Sequence, residues 1–171
     1  MNPIPVPAGL DADSAVGLLT FLIDTPSVNP TYDPASPGEV RMTAALGELC
    51  ERLGCEIDFP GEVDARRNVR ARLASAEPRF TLVIEGHTDT VSLPVGESEP
   101  RARIEDGRVY GRGACDVKGG LTAALLAMAH LAENRPRHVD VVLLGAIDEE
   151  HHFRGVTEFL ARGERPDASI V

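Results

Sequence analysis

Apolar and polar positions change period several times along the chain. Asp13-Ser14 precedes an apolar run at helical spacing, Val16, Leu18, Leu19, Leu22 and Ile23, which predicts a capped helix stopping before Pro26. Residues 25–38, TPSVNPTYDPASPG, form a Pro-rich loop expected mainly at the surface or at the rim of a site. A second helix is predicted from about Glu39 to Leu53, with Val40, Ala44, Leu46, Leu49 and Leu53 broadly on one face and Gly54 as its stop. Then the period shortens. Cys55–Phe59, Asn68–Leu73 and Phe80–Glu85 are β-rich runs bounded by Gly, Pro and polar residues, so three strands are expected. Arg101–Glu105 and Arg108–Tyr110 flank Asp106-Gly107, a hairpin signal. Gly119 to Glu133 reads as an Ala/Leu-rich helix ending before Pro136, and Val139–Ile147 as a strand buried on both faces. Val156–Ala161 is a last helix, and Ala168–Val171 starts another strand. Helices alternating with strands predict an α/β fold, with a mixed, largely parallel sheet flanked by helices.

Composition narrows the classes. A chain of 171 residues suits one domain, and 43% hydrophobic with 26% charged residues is enough to build a core. With no Trp and few other aromatics, that core has to be mainly Val, Leu, Ile and Ala. Lys and Arg number 17 against 27 Asp and Glu, a net charge of −10, which argues against a nucleic-acid partner. Met1 to Leu10 lacks the basic and apolar regions of a signal peptide. The longest apolar run, Leu121 to Ala132, is interrupted by Thr122 and His130 and falls short of the ~20 residues of a membrane span. Cys50, Cys55 and Cys115 are odd in number and lack metal-type spacing, as in a reducing cytoplasm. The expectation is a cytoplasmic protein without membrane or nucleic-acid partners.

Three polar clusters follow an apolar strand or open a helix, where open α/β sheets place their ligands. Gly86-His87-Thr88-Asp89-Thr90 could pair a metal-binding imidazole with an orienting carboxylate, or simply hold a solvated His in a turn. Tyr110 to Gly120, YGRGACDVKGG, is glycine-rich but lacks both the P-loop order and the third dinucleotide-type glycine. Within it, Asp116 is either a ligand or a helix N-cap. Asp148-Glu149-Glu150 would repel one another unless they face water or a cation. Adjacent side chains in extended backbone diverge, so Glu149 and Glu150 are expected to play different parts. One His and several carboxylates at three such points form the nitrogen/oxygen donor set of a hydrolytic Zn²⁺ or Mn²⁺ site.

In this order, GHTDTV, GRGACDVKGG and DEE resemble the motifs of the dinuclear-zinc aminoacylase/carboxypeptidase family, which includes acetylornithine deacetylase, succinyl-diaminopimelate desuccinylase and glutamate carboxypeptidase. The resemblance runs from about Ile23 to Val171. It implies His87 as ligand to one metal, Asp89 as the carboxylate orienting it and Asp116 as the bridging carboxylate. Glu149 would be the general base and Glu150 the ligand to the other metal. It further implies two divalent metal ions, with zinc the first choice and cobalt or manganese compatible with the same donors. The reaction implied is hydrolysis of an amide in a small-molecule N-acyl amino acid or peptide substrate, as part of a longer enzyme.

Residues 1–171 resemble the N-terminal portion of such a catalytic domain. The family's lid or dimerisation domain and C-terminal catalytic segment, with a further acidic ligand and a final His ligand, have no counterpart in the sequence. Hence the alternative is a truncated, non-catalytic copy. His151-His152-Phe153 stands where the family often has glycines and is read as variable loop, while His130 and His138 are read as helix-surface and strand-start residues. Ser92–Pro100 lacks the aromatic residue many members carry before the hairpin. Cys115 is expected to be a small packed residue; Lys118 and Arg112 are either substrate-carboxylate contacts or structural ion pairs.

Overall fold

In the computed structural model, which describes residues 14–171, the first apolar period is realised as helix α1, Ala15–Asp24. Asp13 and the stretch read for a signal peptide lie outside the described residues. Helix α2 is Val40–Arg52 and is followed by strands β1, Glu56–Asp58, β2, Val69–Leu73, and β3, Phe80–His87. The hairpin strands β4, Arg103–Glu105, and β5, Arg108–Tyr110, turn through Asp106 at φ 49° and Gly107 at φ 73°. A π-turn at Ala114–Lys118 leads into α3, Gly119–Glu133. Strand β6, Val139–Ala146, helix α4, Arg154–Ala161, and strand β7, Ala168–Ile170, complete the order.

The sheet is mixed, ordered β1-β2-β6-β3-β7. Both pairs involving β2 are antiparallel, and β3 lies parallel to β6 and β7 on either side, so the parallel half is the half that leads to the polar motifs. Helices α1, α2 and α3 cover one face, packing Leu18, Leu22, Met42, Leu46, Leu49, Leu125 and Met128 against Val69, Ala71, Leu73, Val141 and Leu143. The other face packs Val83, Val142, Leu144 and Ala146 against Phe159 of α4. Strand β6 is buried on both sides because helices lie on both. Among the described residues, no helix is long and apolar enough to cross a membrane.

Two details differ from the sequence reading. Val40 and Ala44 of α2 are exposed, and Met42, Ala45, Leu46, Leu49 and Cys50 are buried instead. At about 100° per residue, Val40 and Ala44 fall on the side of the helix opposite Leu46 and Leu49. Strand β3 runs two residues beyond Glu85, because Gly86 and His87 continue in register with Gly145 and Ala146.

Asp140 is a carboxylate inside the most buried strand, only 4% exposed. Ser75 donates to Oδ1 from its amide at 2.7 Å and from its hydroxyl at 2.8 Å, and Arg72 donates to Oδ2 at 2.6 and 2.9 Å. Burial by itself would raise the pKa of this group, but the Ser75 and Arg72 hydrogen bonds outweigh it and hold the carboxyl below the ordinary aspartate value. A depressed folded pKa gives stability that is complete above the unfolded value of about 3.9 and is lost as pH falls through the folded one. Asp140→Ala is therefore expected to cost about 2 kcal/mol at pH 7. Urea denaturation across pH should show the difference from wild type shrinking below about pH 4; a pH-independent difference would contradict the assignment.

Candidate metal centre

Strands β3 and β6 run parallel with His87 opposite Ala146, so their carboxyl ends coincide. The end of β3 carries His87 to Thr90, and the end of β6 carries Asp148 to Glu150. The π-turn before α3 brings Asp116 over the same edge. The three motifs thus meet at the carboxyl edge of the sheet, the place where α/β folds bind ligands.

His87 is buried, and its ring is held from both sides. Nδ1 lies 3.0 Å from the backbone oxygen of Asp89, and Nε2 lies 3.0 Å from Asp116 Oδ1 and 3.8 Å from Glu149 Oε2. With Nδ1–H held by the Asp89 carbonyl, Nε2 is the ring nitrogen that faces the carboxylates. Burial would lower the His87 pKa, yet hydrogen bonds to Asp89 and Asp116 and the charge of Glu149 raise it to about 10. Burial and the neighbouring Asp116, Asp89 and Glu149 charges raise the Glu150 pKa, opposed by His87. Burial likewise raises Glu85, on β3, whose Oε1 is enclosed without a hydrogen-bond partner.

One donor atom each from His87, Asp116 and Glu150 lie within 4.8 Å of one another. Two ligands on a tetrahedral ion with bonds of about 2.0–2.2 Å are separated by about 3.3–3.6 Å. The 3.0 Å between His87 Nε2 and Asp116 Oδ1 is close to that span, and a nitrogen with two carboxylates is a donor set that zinc accepts, so these residues fit a divalent ion. Asp116 is not a helix cap, since Lys118 holds that position on α3 and the Asp116 side chain turns to His87. The Asp116–Val117 peptide bond is cis.

Asp89 holds the His87 ring through its backbone oxygen rather than through its carboxylate. Its carboxylate Oδ1 is 3.6 Å from His87 Nδ1, farther than its own backbone oxygen. The carboxylate mainly accepts from the amides of Glu149 and Glu150, both at 3.1 Å, and from Asn29 Nδ2 at 2.8 Å. Glu149 and Glu150 lie in a turn rather than in extended backbone, so they do not diverge as expected. Asp148, at φ 63° and fully buried, starts that turn. Its amide donates to Glu39 Oε1 at 2.9 Å, and its carboxylate receives Arg154 Nε at 2.5 Å, Asn29 Nδ2 at 3.0 Å and Arg66 Nη2 at 3.4 Å. Although burial opposes ionisation, Arg154, Asn29 and Arg66 hold the Asp148 pKa down at about 2.

Asn29, Glu39 and Arg66 were not singled out from the sequence. The expected rim loop supplies Asn29: Val28 bridges Thr90, and Asn29 N–H donates to the Thr90 carbonyl at 2.9 Å. Glu39 accepts two 2.9 Å hydrogen bonds from Arg66 Nη1, and both residues are buried. Tyr32, from the same loop, donates its hydroxyl to the Glu150 carbonyl at 2.6 Å. Lys118 is buried and donates to the Thr25 carbonyl at 3.0 Å, a structural part rather than a substrate contact. Cys115 is exposed, not packed, because the π-turn projects it outward beside Asp116. His151 and His152 are exposed, with ring centroids 3.7 Å apart and no part in the His87 cluster. His130 lies exposed on α3, and half-buried His138 precedes β6 with Nδ1 3.1 Å from the Glu77 carbonyl, as expected.

The parallel strands and the turn before α3 thus bring His, Asp and Glu, a nitrogen/oxygen donor set, to one edge of a mixed α/β sheet. Residues 83–171 match peptidase family M20/M25/M40, and the chain belongs to that family. It is 34% identical to a succinyl-diaminopimelate desuccinylase of Caulobacter sp. (strain K31), over 99% of the chain and 42% of that protein. It is 31% identical to an acetylornithine deacetylase of Aliivibrio fischeri (strain MJ11), over 88% of the chain and 40% of that protein. Among solved structures, the M20 family metallo-carboxypeptidase Sso-CP2 of Sulfolobus solfataricus superposes with TM-score 0.73 and 27% identity, covering 92% of the chain and 37% of its own. The chain spans about two-fifths of the length of these relatives.

The loop carrying Glu149 and Glu150 is pinned at both ends by buried Asn68. Its Oδ1 accepts from Ile147 N–H at 3.0 Å, and its Nδ2 donates to the Gly155 carbonyl at 2.8 Å. A Cβ on Gly155 would meet Ile147 O at 2.4 Å, Asn68 Oδ1 at 2.5 Å and Ile147 N at 2.6 Å, atoms with no room to yield. Gly155→Ala should cost about 3 kcal/mol of stability, read from the urea midpoint at constant m-value. A loss below about 0.5 kcal/mol, the level of an ordinary surface substitution, would show that this clamp is soft.

Proposed function

We propose that residues 1–171 form the N-terminal portion of a metallohydrolase catalytic domain that cleaves the amide bond of N-acyl amino acids or small peptides with two divalent metal ions, zinc by preference. The observation that carries this is the convergence of His87, Asp116 and Glu150 at one edge, with Glu149 beside them. The names of the relatives, a desuccinylase, a deacetylase and a carboxypeptidase, share hydrolysis next to an amino-acid group. His87 would hold one ion, Glu150 the other, and Asp116 would bridge them.

When bound, the metal supplies Lewis acidity to the amide carbonyl and makes water a stronger acid. The remaining work falls to side chains of this chain. Glu149 has 31% of its side chain exposed, enough to reach a substrate while staying beside His87. Its carboxylate takes a proton from the attacking water as the new C–O bond forms, then delivers it to the amine nitrogen as the C–N bond breaks. Asp89 fixes the His87 ring through its backbone oxygen and holds the amides of Glu149 and Glu150 through its carboxylate. These contacts keep base and ligands in one relative position.

A second reading, a chain that keeps the sheet without catalysis, is favoured by the ligand count. Catalytic zinc takes about three protein ligands plus water, and the three clustered side chains among the described residues, shared by two ions, fall short of that. Assays of amine release from N-acetyl and N-succinyl amino acids, with metal analysis on the same protein, separate the readings. The hydrolase reading expects zinc-dependent turnover that a chelator abolishes. It also expects Glu149→Gln to lose about 10²–10⁴-fold in kcat while retaining its metal. Full activity in Glu149→Gln would remove that residue as the base, and absence of both metal and turnover would leave the non-catalytic reading.

A further inference from the structure

We propose that Asn29 is a positioning residue for the metal centre: its side-chain amide bridges Asp89 and Asp148 and so fixes the Glu149–Glu150 turn against His87. The proposal rests on the metal-centre reading for its purpose, but not for its geometry. Asn29 is fully buried, and its Nδ2 group spends one N–H on Asp89 Oδ2 at 2.8 Å and the other on Asp148 Oδ1 at 3.0 Å. Its Oδ1 accepts the Thr31 amide at 3.0 Å, which settles which way the amide points. Every hydrogen-bonding position used is filled, and two carboxylates that would repel each other share a single neutral donor group.

The two carboxylates joined by Asn29 control the turn from opposite sides. Asp89 receives the amides of Glu149 and Glu150, while Asp148 is anchored by Arg154, Arg66 and the Glu39 carboxylate on its own amide. Asp148 also sits at φ 63°, a left-handed conformation that this anchoring keeps in place. Without Asn29, Asp89 and Asp148 would face each other without a donor between them, and either could turn away. The Glu149 and Glu150 side chains would then lose their fixed distance from His87. Neither Asp89 nor Asp148 has another side-chain donor in common, so the bridge has no substitute among the described residues.

The test compares Asn29→Ala, and the milder Asn29→Ser that keeps one donor, with Asp140→Ala at the far end of β6. In the metal-free protein, amide hydrogen exchange at Glu149 and Glu150 is expected to rise at least about tenfold in both Asn29 variants, by loss of the Asp89 anchor. Asp140→Ala should leave that exchange unchanged, even with an equal or larger drop in Tm. With cobalt(II) as the probe, Asn29→Ala should bind about 10–100-fold more weakly and with an altered visible spectrum, while Asp140→Ala keeps both. Unchanged exchange at Glu149 and Glu150 in the Asn29 variants, or an equal rise in Asp140→Ala, overturns the proposal whatever the metal result. If wild-type protein retains no cobalt but the exchange contrast holds, the metal-centre reading falls and the grip of Asn29 on the turn stands.

Discussion

The candidate centre depends on the parallel register between β3 and β6. Eight residues pair without a break from Phe80–Val139 to His87–Ala146, so two motifs about sixty positions apart arrive at the same height. A slip of one residue would exchange the faces of every side chain on β3. Val83 would leave its contact with Val142 and Phe159, and His87 would turn away from Asp116. The register that packs Val83 against Val142 and Phe159 is thus the same register that aims the imidazole. Packing and chemistry are one constraint here.

Charge supplies the second constraint. The sheet edge gathers Glu85, Asp89, Asp116, Glu149 and Glu150 around one imidazole, with Asp148 behind them. Burying a carboxylate costs stability unless donors meet it. Asp148 is served by two arginines, Glu39 by Arg66, and Asp89 by backbone amides and Asn29. Asp116 is 81% exposed in its side chain and needs no such support. Asp89, Asp148 and Glu39 are thus satisfied within the protein, Glu85 keeps one enclosed oxygen without a donor, and the open carboxylates face outward.

How much of this was legible in the sequence follows from the range of the interactions. Helix α3 and strands β3 and β6 could be read because their periods are local and their ends carry Gly, Pro or polar residues. His87, Asp116, Glu149 and Glu150 could be singled out because each lies in a contiguous motif at a strand or helix end. Asn29, Glu39 and Arg66 were hidden for the opposite reason. Each is an ordinary polar residue locally, and gains its meaning from partners 27 to 119 positions away. The exposed Val40 and Ala44 were legible in principle, since helical angle alone separates them from Leu46 and Leu49. Their apolar character outweighed their position. The turn at Asp148 was not legible, because an aspartate at positive φ depends on the arginines that hold it.

These contacts give the centre a layered construction. Outermost are Asp116 and the partly exposed Glu149, with His87 just beneath them and only 8% exposed. Behind His87 lie Asp89 and Asn29, and behind those the Glu39–Arg66–Asp148 group, all buried. Exposure falls as the number of fixed partners rises. A side chain that must receive a ligand cannot also be saturated by hydrogen bonds, so its position has to be set by the layer beneath it. Asp89 illustrates the principle: it offers no free oxygen to the surface, yet it determines where one ring and two backbone amides stand. Precision at the open edge of the candidate centre is therefore a property of the buried polar layer, and that layer is drawn from the Pro-rich loop and α2 boundary as much as from the motifs themselves.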